Sequence, residues 1–237
     1  MNFKEKLQNI FQNNEIYLTE EQLEKFEIYY NNLIETNKIH NLTSITDEND
    51  VIIKHFLDSV LPYKEIPNNT KIIDIGSGAG FPSIPLKIMN NSLKITAIDS
   101  VSKKVDFIKN QVECLKLQNN FEVIHTRIEE LAHNPSYREQ FDIVVSRAVA
   151  PLSVIIEYSS AFLKNNGYIL SYKGNNFEDE IKTSQNALKI LNCKIEETFK
   201  YYIKELDTYR YILKIKKFDN ISPKYPRGQN KPRLSPL

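Results

Sequence analysis

The sequence predicts an α/β fold, a doubly wound and mostly parallel sheet that ends in an antiparallel hairpin and follows an N-terminal helical extension. From Lys71 onward, short β-rich runs alternate with helical windows, the pattern of βαβ units. The last two strand candidates lie too close in sequence for a helical crossover, so they should pair antiparallel. Residues before about position 65 instead place apolar side chains at helical spacing.

The helical extension, 1–65, is predicted from three periodic stretches. Phe3, Leu7 and Phe11 lie on one helical face, and a second and third helix follow. Thr19 and Gln22 form a plausible capping box for the second helix. Pro62 and the residues that follow break the periodicity and mark a linker.

The central region, 66–220, is predicted to hold the sheet. The predicted strands lie near 71–75, 94–99, 121–126, 141–146, 168–173, 193–200 and 210–217. The predicted helices lie near 82–90, 102–117, 151–164 and 176–191. The remaining segment, 221–237, is rich in proline and is predicted to be an extended, basic C-terminal arm. The alternative is that it packs back on the sheet, with Tyr225 and Leu234 covering apolar surface.

Charge is distributed unevenly along the chain. The net charge is +1, but residues from 214 onward carry +6 and the rest carries −5. A basic tail on an acidic body favours a polyanionic partner, although a solvated tail that only aids solubility explains the charge equally well. The candidate nucleic-acid contacts of the tail are Lys224, Arg227, Lys231 and Arg233.

Composition excludes several classes of protein. Hydrophobic residues make up 41% and charged residues 26%, which are globular values. No apolar run approaches the ~20 residues that cross a membrane, and the N-terminus lacks the pattern of a secretory signal, so we expect a cytoplasmic protein. Cys114 and Cys193 have no metal-ligand spacing, and we expect ordinary thiols and no metal site.

The most informative segment is the turn after the first strand. Asp74 is followed by three alternating glycines, Gly76, Gly78 and Gly80, and then by Phe81. A dinucleotide-binding turn needs a small third residue where Phe81 stands, which disfavours a nicotinamide cofactor. The turn resembles instead the loops that wrap the methionine part of S-adenosylmethionine (SAM).

Asp99 ends the second predicted strand, 23 residues after Gly76. An acidic side chain in this place can accept hydrogen bonds from both ribose hydroxyls of a nucleoside cofactor. The alternative is that Asp99 caps the helix that begins at Ser102. The spacing of the loop and the carboxylate together favours a SAM site.

Other candidates lie at the carboxyl ends of the later strands, where ligands bind in such sheets. Glu129 could accept from an adenine amino group or cap the short segment after it. Arg147 ends a buried strand and needs an anionic partner, which could be the cofactor carboxylate, an RNA phosphate or a structural ion pair. Lys103 and Lys104 lie in the first turn of a helix, where a phosphate would offset the unfavourable helix dipole.

The sequence also limits the atom that accepts the methyl group. The residues Ser146-Arg147-Ala148-Val149 replace the [ND]-P-P-[YF] motif of enzymes that methylate exocyclic amines, and neither cysteine lies at a strand end as carbon methylation requires. Guanine N7 carries a lone pair and no proton, so it needs no general base.

The motifs identify a resemblance to a family. The chain from about residue 37 resembles the bacterial glucose-inhibited division protein B family, which methylates N7 of a guanine in 16S rRNA of the small ribosomal subunit. The shared elements are Asn41-Leu42-Thr43, His55-x-x-Asp58-Ser59, 74–82, Asp99-Ser100-x-x-Lys103-Lys104, Arg127-x-Glu129, Ser146-Arg147-Ala148, Lys173-Gly174 and Tyr225-Pro226-Arg227. Two positions depart from the pattern, since Ser83 replaces a glycine and Ile128 a smaller residue.

The resemblance implies the following roles. SAM is the cofactor, bound by Gly76, Gly78, Gly80, Phe81, Asp99, Ser100, Ile128, Glu129 and Arg147. The acceptor is positioned by Arg147, Lys173, His55 and Asp58, and His55 and Asp58 either line the mouth of the site or only bond to each other. RNA contacts include Lys103, Lys104 and Lys173. The partner is 16S rRNA in the small subunit, with no sign of a membrane or an obligate protein partner.

Two alternatives remain open at this point. One is a SAM-dependent methyltransferase of another substrate class, against which the basic tail argues. The other is a non-catalytic, SAM-responsive RNA-binding module, which would bind both ligands without turnover.

Overall fold

The sheet of the protein has seven strands in the order β3-β2-β1-β4-β5-β7-β6. The computed structural model describes residues 1–237. The strands are β1 Lys71–Ile75, β2 Lys94–Asp99, β3 Phe121–His125, β4 Phe141–Arg147, β5 Leu163–Lys173, β6 Cys193–Ile203 and β7 Thr208–Lys217. The first five pair in parallel and β7 is antiparallel to both β5 and β6, which confirms the predicted doubly wound sheet with a terminal hairpin.

The helices are distributed along the whole chain. They are α1 Phe3–Asn13, α2 Glu20–His40, α3 Glu48–Asp50, α4 Asp58–Val60, α5 Ser83–Met89, α6 Ser102–Cys114, α7 Ile128–Leu131, α8 Leu152–Ser160, α9 Phe177–Thr183, α10 Gln185–Ile190 and α11 Lys231–Leu234. A π-helical segment, Val51–Leu57, joins α3 to α4 without a break. No helix is both long enough and apolar enough to cross a membrane.

Both faces of the sheet are covered because its central strands are apolar on both sides. On β1, Ile72 points to one face and Ile73 and Ile75 to the other. The N-terminal helices share a core with α5 and α6 on the first face, where Tyr29 and Phe56 are fully buried. The second face packs against α8 and α10.

Helix capping follows the sequence at the N-terminus. Thr19 and Gln22 form a reciprocal capping box at the start of α2, as predicted. Asn2 and Glu5 form a second capping box at α1. The long α2 ends at Asn41, which adopts a left-handed conformation with φ of 45°.

Two predicted helices are shorter than expected. The predicted helix 176–191 is divided at Ser184 into α9 and α10, and the Ser184 hydroxyl donates to the carbonyl of Glu180 at 2.7 Å. The predicted helix 151–164 ends at Ser160, and β5 begins at Leu163. The pairing of β5 with β4 is irregular before Tyr168, where a side chain on Gly167 would lie 2.8 Å from the carbonyl oxygen of Asp142.

The C-terminal segment corrects one expectation. Residues 221–237 are not an extended arm, because Ile221, Tyr225 and Pro232 are buried, the first two in the core that the sheet shares with α8. The chain turns at Gln229 and Asn230, both left-handed, and then forms the short helix α11. The prolines therefore shape a compact segment, which we call the C-terminal strap.

Candidate functional site

The glycine loop between β1 and α5 is held in place by the neighbouring strand β2 and by the N-terminal helix α2. Gly76, Gly78 and Gly80 have φ of 70°, 59° and 97°, in the region that favours glycine. The amide of Gly76 donates to the carbonyl of Ile98 at 2.9 Å, and the Tyr29 hydroxyl donates to the carbonyl of Ala79 at 2.6 Å. The N-terminal extension therefore supports the loop directly.

The space around each of the three glycines differs, so a side chain would have a different effect at each position. A Cβ on Gly78 would meet nothing within 4 Å, whereas a Cβ on Gly76 would lie 2.9 Å from Val149. A Cβ on Gly80 would lie 2.5 Å from the Ile84 side chain and 2.9 Å from the Tyr29 hydroxyl. Gly80 is thus needed for packing, and the space beside Gly78 is left free.

Asp99 is coupled to the glycine loop. One carboxylate oxygen accepts from the amide of Gly78 and the other from the amide of Val101, both at 2.9 Å. Val101, and not Asp99, is the N-cap residue of α6, and it makes no side-chain capping bond. Each carboxylate oxygen can accept a further bond, so Asp99 retains acceptor capacity while it fixes the loop.

A cavity of about 480 Å³ lies next to this loop, and we call it the glycine-loop cavity. This volume falls within the range of small-molecule sites. Its lining at the strand ends comprises Gly76, Asp99, Ser100, Val101, Thr126, Arg127, Ile128 and Glu129. The other lining residues are Lys104, Ala148, Val149, Tyr158, Asn230 and Arg233.

The cavity brings together part of the predicted cofactor set. Gly76, Asp99, Ser100, Ile128 and Glu129 line it, and Gly78 contributes through its bond to Asp99. Gly80, Phe81 and Arg147 do not line it. Phe81 is 5% exposed and stacks on the ring of His55 at 4.4 Å, so it packs beneath the site.

Arg147 has a protein partner, which was one of the three alternatives predicted for it. Its Nη1 donates to a carboxylate oxygen of Asp58 at 3.0 Å and to the carbonyl of Lys54 at 2.9 Å. Its guanidinium lies 5.1 Å from the centre of the Phe81 ring. Arg210 donates to the second oxygen of Asp58 at 3.1 Å, so one carboxylate lies between two arginines.

His55 is neutral in this arrangement. Burial and the adjacent positive charge of Arg147 lower its pKa to about 3. Arg147 can only donate, so Nδ1 of His55 accepts at 3.3 Å, and Nε2 carries the proton toward the Thr43 hydroxyl at 2.8 Å. His55 and Asp58 are thus bridged by Arg147, which corrects the expectation that they bond to each other.

A second cavity, of about 450 Å³, lies on the other side of Arg147, and we call it the Arg147 cavity. Its lining residues are Asp58, Arg147, Ala148, Ala150, Tyr172, Lys173, Gly174, Glu180, Arg210, Tyr211 and Ile212. Lys173 is 8% exposed and pairs with Glu180 at 2.6 Å. Three of the four residues predicted to position the acceptor therefore line this cavity, namely Asp58, Arg147 and Lys173. The fourth, His55, does not line it and contacts Arg147 instead.

The two cavities share one residue, Ala148. It follows β4 with a left-handed φ of 56°, and the loop after it places Val149 against Gly76. Ala148 lines both the glycine-loop cavity and the Arg147 cavity. The β4–α8 loop is therefore the partition between them.

The residues predicted to bind RNA do not form one surface. Lys103, Lys224, Lys231 and Arg233 are exposed. Lys104 and Arg233 also line the glycine-loop cavity, and Lys173 lines the Arg147 cavity. Arg227 is the clearest correction, because its guanidinium pairs with the buried carboxylate of Glu157 at 2.7 Å. The side chain that was expected to face phosphate is already occupied by a protein carboxylate.

Several lining residues were missed by sequence reasoning. Arg210 and Tyr211 reach the Arg147 cavity from the start of β7, and Tyr158 and Asn230 reach the glycine-loop cavity from α8 and the strap. Only the tertiary pairing of the hairpin and the return of the strap bring them there. The cluster of basic residues in the tail indicated that this segment binds an anionic group, but sequence analysis interpreted it as a contact with RNA.

Comparison with solved structures bears on the fold. The SAM-dependent methyltransferase of Aquifex aeolicus superposes with a TM-score of 0.56 at 16% identity, over 75% of this chain and 97% of that one. At this identity the likeness shows a shared fold.

The family follows from sequence comparison. The chain belongs to the GidB family, rRNA small subunit methyltransferase G, whose pattern matches residues 22–208. The ribosomal RNA small subunit methyltransferase G of Thermoanaerobacter sp. (strain X514) is 45% identical over 224 residues, which cover 94% of this chain and 93% of that protein. The protein of the same name from Lactobacillus acidophilus is 41% identical over 93% of each chain. The resemblance inferred from the motifs is confirmed.

Proposed function

We propose that this protein transfers the methyl group of SAM to N7 of a guanine in 16S rRNA of the small ribosomal subunit. Family membership supports a SAM-dependent methyltransferase that acts on ribosomal RNA. The choice of guanine N7 rests on one structural observation, that both carboxylates at the Arg147 cavity, Asp58 and Glu180, are paired with basic side chains.

The cofactor is proposed to bind in the glycine-loop cavity. The residues fit it, since Asp99 keeps acceptor capacity for ribose hydroxyls and the backbone beside Gly78 is open. Glu129 lines the same cavity and can accept from an adenine amino group. When bound, SAM supplies an electrophilic methyl group on a sulfonium. The protein contributes orientation and exclusion of water.

The acceptor base is proposed to enter the Arg147 cavity. Both carboxylates there are occupied: Asp58 is shared by Arg147 and Arg210, and Glu180 is paired with Lys173. Nδ1 of His55 already accepts from Arg147, and a pKa lowered to about 3 makes His55 a poor proton acceptor.

These pairings favour a nucleophile that needs no deprotonation. Guanine N7 has an available lone pair, whereas an exocyclic amine must lose a proton during transfer. Neither thiol competes, because Cys114 lies on α6 away from both cavities and Cys193 is buried at the start of β6 with its pKa raised to about 12. Arginine and lysine donors at the cavity can bind guanine O6 and leave N7 free. Ala148, which lines both cavities, marks where the methyl group would pass.

The test is methyl transfer from labelled SAM to small subunits isolated from cells that lack this gene. We expect 7-methylguanosine in nuclease digests of 16S rRNA, detected by mass spectrometry, together with release of S-adenosylhomocysteine. Naked 16S rRNA assayed in parallel shows whether the assembled subunit is the substrate. Methylation of another atom would overturn the N7 assignment, and ligand binding without S-adenosylhomocysteine release would favour the non-catalytic RNA-binding alternative.

A further inference from the structure

The C-terminal strap is anchored by a single buried carboxylate. Glu157 lies on α8 with its side chain 1% exposed. Its two carboxylate oxygens accept from the amide, Nε and Nη2 of Arg227 at 2.8, 2.9 and 2.7 Å. All the hydrogen bonds to this carboxylate therefore come from the strap.

Further bonds hold the strap on both sides of this anchor. Arg138 donates to the carbonyl of Tyr225 and His133 to that of Pro226, both at 2.9 Å. Arg227 also donates to the carbonyl of Ser235 at 2.9 Å, which ties the end of the chain to the same anchor. The short helix α11 is thus fixed between two bonded points.

This anchoring brings α11 to the glycine-loop cavity. Asn230 and Arg233 line the cavity together with Asp99 and Glu129. Nη2 of Arg233 donates to the carbonyl of Val149 at 3.2 Å, so the strap also contacts the loop that separates the two cavities. The Arg233 guanidinium therefore contacts the β4–α8 loop, and Arg233 also lines the glycine-loop cavity.

We propose that the C-terminal strap is a wall of the SAM site and that Arg233 binds the adenosine half of the cofactor. The inference rests on the proposed placement of SAM in the glycine-loop cavity. Arg233 lines the same cavity as Asp99 and Glu129, which lie at or after the ends of β2 and β3 and would bind ribose and adenine. A guanidinium only donates, the adenine ring nitrogens accept, and its planar group stacks on a purine face. The strap thus acts on the cofactor, whereas its charge alone suggested RNA.

The first experiment measures binding of S-adenosylhomocysteine by calorimetry to the full-length protein and its variants. Arg233→Ala should weaken binding by about 3- to 10-fold, the loss of one hydrogen bond, and Arg233→Lys should recover only part of it. Leu234→Ala is the matched control, because Leu234 is 76% exposed on the same helix and lines neither cavity. Unchanged affinity in folded Arg233→Ala would overturn the inference.

A second ligand separates direct contact from an effect through the β4–α8 loop. 5′-Methylthioadenosine carries the adenosine half without the amino acid, so direct contact predicts the same fold-loss for both ligands in Arg233→Ala. A loss seen with S-adenosylhomocysteine alone would overturn the assignment to adenosine.

Asp99→Asn distinguishes failure of the strap from failure of the site. If Asp99→Asn weakens binding and Arg233→Ala does not, the strap inference is wrong and the placement of SAM stands. If neither variant changes affinity, the placement itself is wrong. A reduced salt dependence of rRNA binding in Arg233→Ala, with cofactor affinity unchanged, would instead return Arg233 to the RNA contacts.

Discussion

Single residues in this protein often serve two partners at once. Asp99 holds the amides of Gly78 and Val101 while it faces the glycine-loop cavity. Arg147 fixes Asp58 and covers Phe81 while it faces the Arg147 cavity. A substitution at either position therefore changes the shape of the site as well as its chemistry, and conservative variants are needed to separate the two effects.

Asp99→Ala should weaken SAM binding and leave rRNA binding nearly intact. The loss includes hydrogen bonds to ribose, each worth about 0.5–1.5 kcal/mol and more when charged. The structure adds that alanine also leaves the Gly78 amide without its acceptor. Calorimetry on Asp99→Ala and Asp99→Asn, with thermal melts of both, measures the two effects. Unchanged SAM affinity in a folded variant would remove Asp99 from the site.

Asp74 should make stability fall as pH rises toward neutrality. Burial raises the pKa of Asp74 from 3.8 to about 7, and a hydrogen bond from the Ser83 amide only partly opposes this shift. One of the two carboxylate oxygens has no hydrogen-bond partner. Between these values the folded state binds more protons than the unfolded state, so stability declines by up to about 1.4 kcal/mol per pH unit.

Asp74→Asn tests this directly, because it keeps the shape and cannot ionise. We expect urea unfolding of the cofactor-free protein from about pH 4 to 8 to show that the free energy of unfolding of the variant increases relative to the wild type as pH rises. His55 is present in both proteins, so its opposite contribution cancels in the comparison. Parallel stability curves would show that Asp74 does not titrate in this range.

The rate of methyl transfer should be independent of pH around neutrality under single-turnover conditions. Guanine N7 needs no base, and His55 is neutral throughout because its pKa is lowered to about 3. A rise through a midpoint near 6.5 would indicate a histidine base. The same profile in Asp74→Asn separates that result from ionisation of Asp74.

At the scale of elements, the strap and the N-terminal helices support the site from opposite faces of the sheet. Tyr29 of α2 holds the glycine loop by its hydroxyl. Glu157 of α8 holds the strap, which returns to the glycine-loop cavity through Asn230 and Arg233. Neither segment is an independent unit, because each shares a core with the sheet.

Arg227→Ala should destabilise the protein by about 3 kcal/mol, the low end for breaking a buried pair because Arg227 is partly exposed. The variant leaves the buried Glu157 carboxylate with the backbone amide of residue 227 as its partner and no compensating charge. The double variant Glu157→Leu/Arg227→Met removes both charges and should lose less than Arg227→Ala alone. Denaturant unfolding gives both values, and a larger loss in the double variant would contradict this account.

At the scale of the whole molecule, the basic tail is only partly available to RNA. Arg227 is taken up by Glu157, and Lys217, fully buried, pairs with Glu139 at 2.9 Å. Lys224, Lys231 and Arg233 of the tail are exposed, as is Lys103 of α6. The net charge of the tail therefore overstates the number of groups that can meet phosphate.

Replacing Lys103, Lys224 and Lys231 with alanine should lower the slope of log affinity for rRNA against log salt. Each lost phosphate contact lowers the slope by about 0.7–0.9, so three contacts give roughly two to three units. Arg227→Lys should leave it unchanged, since that side chain faces Glu157. Binding measured at several salt concentrations gives both slopes. An unaltered slope in the triple variant would remove these lysines from the RNA contacts.

The sequence by itself determined the features that depend on local spacing. Short β-rich runs between helical windows set the strands, and the short connection between the strands predicted at 193–200 and 210–217 required an antiparallel hairpin. The glycine spacing with Phe81 separated SAM from a dinucleotide. These signals are readable because each is contained in one turn, one strand or one βα unit.

Only the tertiary structure decided which distant side chains meet. Arg147 pairs with Asp58 across 89 positions and Arg227 with Glu157 across 70. Such pairs depend on the strand order and on how helices pack over it, and an unpaired charge at a buried position reveals only that some partner must exist. The same reason explains the strap: the sequence showed a basic, proline-rich tail, and folding placed its guanidinium groups against Glu157 and the glycine-loop cavity.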